Sequence, residues 1–236
     1  MVAALIRDIL HRRTDLSTFV VHLTRRLGGV SALDAHASIA RTGTREARMA
    51  LGWAKEQDDP GDLTKQSQRV VCFTETPLEH INLIVGPIQG RAIELEPYGV
   101  ALTKLTARKL GANPVWYVDM TEGRDWVIAN TLDQLRDWAV RDALDNGRNF
   151  HDYPLARLLP FIEQMGTWTG RNPKEFWWER EWRHVGSLQL PASGLIWLCP
   201  EDEIEALRAA AGRPEPLDRS SMGAGGDHRA PSGHSA

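Results

Sequence analysis

Cysteine is scarce in this 236-residue chain: the two present, Cys72 and Cys199, lie far apart and in no C-x-x-C pattern. That excludes a disulfide framework and a thiolate zinc site, and it suits a reducing, cytoplasmic setting. A long hydrophobic run is also lacking. The opening MVAALIRDILHRR is interrupted by Arg7 and Asp8 and carries no small-residue cleavage motif, so it reads as neither signal peptide nor membrane span. Neither sign of charge dominates. A formal net charge of −3 and a pI near 6.2 supply no overall field that draws the protein onto nucleic acid or anionic lipid. No helix-turn-helix pattern, clustered basic helix or internal repeat is present.

Hydrophobic residues make up 42% and charged residues 25%, enough apolar material for one substantial core. The expected architecture is α+β: a single domain over residues 1–212 with a mixed central sheet flanked by helices. Residues 213–236 are Pro, Gly, Ser and Ala with almost no large apolar side chains, and they read as a disordered tail. Tryptophan is abundant at nine residues, and Trp168, Trp177, Trp178 and Trp182 fall in one stretch that is either densely packed or a binding surface.

Leu5, Ile6, Ile9 and Leu10 recur at helical spacing and predict a first amphipathic helix. Strands are expected over 18–24, 69–73, 98–103, 114–118, 181–188 and 194–198, where β-branched and aromatic residues concentrate. Helices are expected over 32–40, opened by a capping box at Ser31 and Asp34, and over 78–84 behind Pro77. Others are expected over 105–110, 125–145, 155–165 and 201–211. The stretch from Thr44 begins helical, through Ala47, Leu51 and Trp53, and dissolves into a polar loop.

Three segments can carry chemistry. In the first, alternation places His22 and Thr24 on one face of a strand, where they either hold a polar ligand edge or, for His22, bond a backbone carbonyl within the core. In the second, a strand containing Cys72 ends in Thr74-Glu75-Thr76 before a helix start, a place where α/β folds bind ligands and where Thr76 can equally serve as a cap. Cys72 itself reads as core packing. In the third, alternation puts Glu179, Glu181 and Arg183 on one face and Arg180 and Trp182 on the other. Two carboxylates and a guanidinium on a tryptophan-rich wall suit a cation-like transition state, or an ion-paired strand with indoles behind it.

Taken in order, FVVHLT, VVCFTETPLEHI, YGVALTK, GANPVWYV and EREWR resemble the AbiGi family of abortive-infection proteins, often labelled the antitoxin partner of a two-gene system. The likeness spans roughly residues 16–190. It implies a role in phage defence and a cognate toxin or antitoxin from the same operon as partner. A more distant resemblance is to ADP-ribosyltransferases, whose first strand carries a His followed two residues later by Thr, and whose late strand carries a catalytic Glu. That resemblance implies an ADP-ribosyltransferase-like fold with NAD as cofactor, His22 and Thr24 on the ribose, and Glu181 or Glu179 as the carboxylate. It also implies Tyr98 stacking on nicotinamide, with Thr74 and Arg183 completing the site. Nucleic acid then enters only as a target of modification. Two functions follow as expectations: an NAD-using effector, or a non-enzymatic antitoxin that neutralises its toxin.

Overall fold

The computed structural model of the chain describes residues 15–26, 28–49, 68–88, 91, 93–121, 127–166 and 177–212. The first helix, the polar loop after Trp53, Trp168 and the tail 213–236, all expected from the sequence, lie outside these residues.

The run of β-branched and apolar residues at the start forms β1 (Phe19–Leu23). Helix α1 (Ala32–Thr42) begins where the Ser31 side chain accepts the Asp34 N–H at 3.0 Å. It ends where Gly43, at φ 65°, takes the left-handed conformation that lets its N–H reach Ile39 O. That cap explains why the stretch after it is not the expected helix. The chain reverses and forms β2 (Thr44–Arg45) and β3 (Arg48–Met49), two short strands specified by tertiary pairing rather than by their own pattern.

Strand β4 (Arg69–Thr74) follows, and the segment Leu78–Ile84 after it winds as a 3-10 helix. Strand β5 (Gly99–Thr103) runs into α2 (Lys104–Lys109), capped by the Thr103 hydroxyl on the Thr106 N–H. The single strand expected over 114–118 is two. Asn113–Pro114 forms β6 and Trp116–Asp119 forms β7, because the Val115 N–H turns to Glu181 O and the chain then changes sheets. Helix α3 (Val127–Asp145) buries a line of Ala129, Leu132, Ala139 and Ala143, at intervals of 3, 7 and 4 residues that keep to one face. The helix expected over 155–165 stops early: α4 covers only Pro154–Leu158, and Pro160, which lacks an N–H, is followed by strand β8 (Ile162–Met165). Gly186, at φ 81°, divides the next expected strand into β9 (Glu181–Val185) and β10 (Leu188–Gln189), and β11 (Leu195–Leu198) and α5 (Ile204–Ala211) close the chain.

The class is α+β. The central sheet runs β11-β5-β1-β4-β9-β6, with β3 added beside β4, and every pairing in it is antiparallel. The parallel pairing that a mixed sheet calls for sits apart, between β7 and β8. No described helix is long and apolar enough to cross a membrane.

The register fixes the two faces. Val21 pairs with Thr74, Thr74 with Glu181 and Cys72 with Arg183, so these residues share one face; neighbours alternate, so His22, Phe73 and Trp182 share the other. The first face meets the 3-10 helix through Val21, Leu23, Ala101 and Ile84. The second meets α2 through Val20, Phe73, Leu102, Ala107 and Trp182. Strands β1 and β5 approach so closely at Gly99 that an added Cβ would lie 2.6 Å from His22 O and 2.9 Å from Leu23 Cδ2. Gly99→Ala is therefore expected to cost about 1–3 kcal/mol. Thermal unfolding checks it, with a fall of about 2–4 °C in Tm per kcal/mol for a chain of this size.

Candidate functional site

Strands β1, β4 and β9 are consecutive in the sheet, so the three chemistry-bearing segments are neighbours. Their polar side chains do not converge. His22 lies on the opposite face from Thr74, Glu181 and Arg183. Its Nδ1–H donates to Cys72 O at 2.8 Å and its Nε2 accepts the Arg45 Nε–H at 2.7 Å, a pair of contacts that holds the neutral ring in one tautomer. Burial, reinforced by the Arg45 charge, lowers its pKa to about 3. Thr24 is buried too, and its hydroxyl donates to Tyr98 O at 3.0 Å.

On the other face Arg183 is 2% exposed and surrounded by acceptors. Its Nε and Nη2 donate to the two oxygens of Glu181 at 3.0 and 2.8 Å, Nη2 also meets Glu163 at 2.6 Å, and Nη1 donates to Pro160 O at 2.9 Å. The Glu181 N–H donates to the Tyr117 hydroxyl at 3.0 Å. The guanidinium thus ties β9 to β8 and the turn before it, joining the sheet to the separate core of α3, α4, β7 and β8. Glu163 was not visible as a partner because it lies in a segment that reads as helix. Cys72, expected in the core, instead has its side chain exposed on this face.

Glu179 stands apart from Glu181, in the 3-10 turn Trp177–Glu179, where its carboxylate pairs with Arg91 at 3.4 Å. Burial raises its pKa against the pull of Arg91. The Thr74 hydroxyl donates to Glu179 O at 2.7 Å and accepts the Thr76 N–H at 3.1 Å. The residue that gathers the three sequence motifs is Glu75. One carboxylate oxygen pairs with Lys104 at 2.5 Å and lies 3.7 Å from Arg180, and the other accepts the Trp182 indole N–H at 2.8 Å. Lys104 ends YGVALTK and Arg180 and Trp182 come from EREWR, so the motif order carried the signal that single-residue reading missed.

Tyr98 is buried, and its hydroxyl donates to Glu203; burial, with that carboxylate, raises its pKa. Beside it sits His36, fully buried against Trp197 with ring centroids 5.2 Å apart and with no hydrogen-bond partner for either ring nitrogen. Burial lowers the His36 pKa from 6.5 to about 4. An unfolded histidine takes up its proton near pH 6.5, so below that pH the unfolded chain binds more protons than the folded one. Stability from the neutral rings of His36 and His22 is thus complete above about pH 6.5 and is lost as pH falls toward 4, at up to about 1.4 kcal/mol per pH unit for each ring. Urea midpoints measured from pH 7 to 4.5 are expected to fall accordingly, and His36→Phe to remove about half the slope.

The open ground lies at the end of the sheet beyond Glu75. The Arg180 backbone has φ 48°, a left-handed conformation disfavoured for arginine. It is held by hydrogen bonds from Glu75 N–H to Arg180 O and from Arg180 N–H to Trp177 O. This corner turns Trp177 and Trp178, 53% and 39% exposed, onto an open groove of about 350 Å³ lined also by Asp15, Pro77, His80, Leu83 and Ile84. Among the described residues no group of three or more His, Cys, Asp or Glu is placed to hold a metal ion.

Among known families, the one described as "Putative abortive phage resistance protein AbiGi, antitoxin" matches residues 38–197, more than half of the chain. No curated protein and no solved structure matches.

Proposed function

We propose, because the chain belongs to the AbiGi family of abortive phage resistance proteins, that it acts in abortive infection as the antitoxin, binding a cognate toxin and silencing it. One observation carries the reading. The strained Arg180 corner holds two exposed tryptophans beside an apolar groove, while the polar side chains behind it are occupied by one another. Exposed indoles around a shallow apolar recess are the material of binding hot spots, and backbone strain persists where the surroundings enforce it at recognition sites.

The test is capture of the product of the neighbouring gene by the purified full chain. Trp177→Ala and Trp178→Ala are each expected to weaken capture about 30-fold, the size of a central hot-spot residue, with thermal unfolding little changed. Undiminished capture by both variants contradicts the surface. The competing reading is ADP-ribosyl transfer from NAD through Glu181 or Glu179. It rests on residue order, and the internal contacts of His22, Thr24 and Arg183 lend it no support; label transfer from NAD that disappears in Glu181→Gln would establish it instead.

A further inference from the structure

Arg45 is held by a histidine rather than by a carboxylate. Its Nε–H donates to His22 Nε2 at 2.7 Å, and the ring is fixed in turn because its Nδ1–H donates to Cys72 O at 2.8 Å. One edge of the guanidinium is spent on that contact. The end of the fork, Nη1 and Nη2, makes no hydrogen bond to any described residue, although the side chain is half-buried. The turn from β2 to β3 places Arg45 opposite Leu188 and the exposed Arg48 opposite Val70, and Arg25 follows just past the end of β1. Burial lowers the Arg45 pKa, the positive charge of Arg48 lowers it further, and Arg25 adds to the same effect against the opposing charge of Glu46. Among the described residues, none of these three guanidiniums forms an ion pair with a carboxylate. Elsewhere Arg91, Arg180 and Arg183 each have one. Like charges gathered without a counter-ion repel one another, and a half-buried member also loses hydration, so the cluster costs stability until an anion joins it.

We infer that this corner is an anion site for a terminal phosphate group, with the Arg45 fork on two phosphate oxygens, Arg48 and Arg25 supplying further positive charge, and His22 as the positioning residue behind Arg45. Two parallel N–H groups on a planar guanidinium match the spacing of two phosphate oxygens, and the histidine contact settles the direction in which they point before any ligand arrives. The His22 pKa, lowered to about 3 by burial and the Arg45 charge, keeps the ring neutral wherever phosphate is a dianion, so Nε2 stays an acceptor. A terminal phosphate carries close to two negative charges near neutral pH and suits a compact group of two or three arginines. A phosphodiester strand carries one charge per phosphate and binds along a basic track. Here Glu46 stands between Arg45 and Arg48 in the chain, and Glu96 accepts the Arg26 N–H at 2.9 Å, so negative charge lies next to the cluster instead. The site goes beyond the antitoxin reading and does not depend on it, since neither the tryptophan groove nor the toxin enters the argument.

Calorimetric titration of the full chain with inorganic phosphate tests the site, at neutral pH and at an ionic strength held constant with sodium chloride. Saturable binding of one phosphate per chain is expected. Arg45→Lys keeps the charge and loses the fork, and is expected to weaken binding about 10-fold; Arg48→Gln is expected to do the same. Arg157→Gln, which removes an exposed arginine from α4, is expected to leave binding unchanged. His22→Phe leaves the net charge as it is and removes only the acceptor that orients Arg45, so about a 10-fold loss in that variant separates positioning from simple charge. Should that buried substitution prevent folding, Arg45→Lys and Arg48→Gln decide the matter. Absence of saturable binding, or binding by Arg45→Lys equal to that of the unaltered chain, overturns the site. Tighter binding of a short DNA strand without terminal phosphates, displacing phosphate, overturns it too and makes the surface one for nucleic acid.

Discussion

Replacing Arg183 by methionine is expected to lower the unfolding free energy by about 3–5 kcal/mol, the largest loss from any single substitution considered. The guanidinium is 2% exposed and is the partner of Glu163, whose side chain is 5% exposed, and of Glu181 at 18%. Methionine fills much of the volume and leaves the buried Glu163 and the half-buried Glu181 without their cation. It also frees Pro160 O of its donor and uncouples β8 from β9. Equilibrium urea unfolding measures the loss. Adding Glu163→Gln to the same protein is expected to recover about half of it, since one of the two stranded charges is then gone; the double-mutant cycle isolates that coupling. A loss under about 1 kcal/mol would mean that the charges are hydrated in solution and that Arg183 is available to something else.

Glu75→Leu is expected to cost about 3 kcal/mol. It removes the acceptor of the Trp182 indole N–H and the anion of Lys104 in a site where both Glu75 and Lys104 are mostly buried. Because the Glu75 N–H also holds the strained Arg180 carbonyl, its surroundings fix the corner that presents Trp177 and Trp178. Glu75→Gln keeps an oxygen for the indole and loses only the charge, so about half the cost is expected. Urea midpoints give both values. Equal, small effects for the two variants would show that Glu75 is a solvated loop residue, the alternative that its place before Pro77 had left open.

The strands were legible because β-branched runs such as Phe19–Leu23 and Arg69–Thr74 carry their own signal, and α1 because Ser31, Asp34 and Gly43 punctuate it. The errors fall where a partner decides. Thr44–Arg45 becomes a strand by pairing with Leu188–Gln189, and Ile162–Met165 by pairing with Trp116–Asp119, contacts at long separation that no local period reports. In the site, alternation placed Glu181 with Arg183 and Trp182 behind them, as the register has it. Alternation also reported His22 as facing away from its own neighbours, but only the pairing Val21 to Thr74 to Glu181 shows that away from Val21 means away from Glu181. Glu75 was hidden for the opposite reason. Its three partners, Lys104, Arg180 and Trp182, lie on two distant segments, and nothing in its own surroundings in the chain names them.

Growth of a bacterial host under induced expression tests the central claim most directly. The full chain alone is expected to be harmless, the neighbouring gene alone to arrest growth, and the pair to grow, with rescue lost when Trp177 and Trp178 are both replaced by alanine. Arrest caused by the full chain alone, relieved by Glu181→Gln, would contradict it and place the chemistry in this protein.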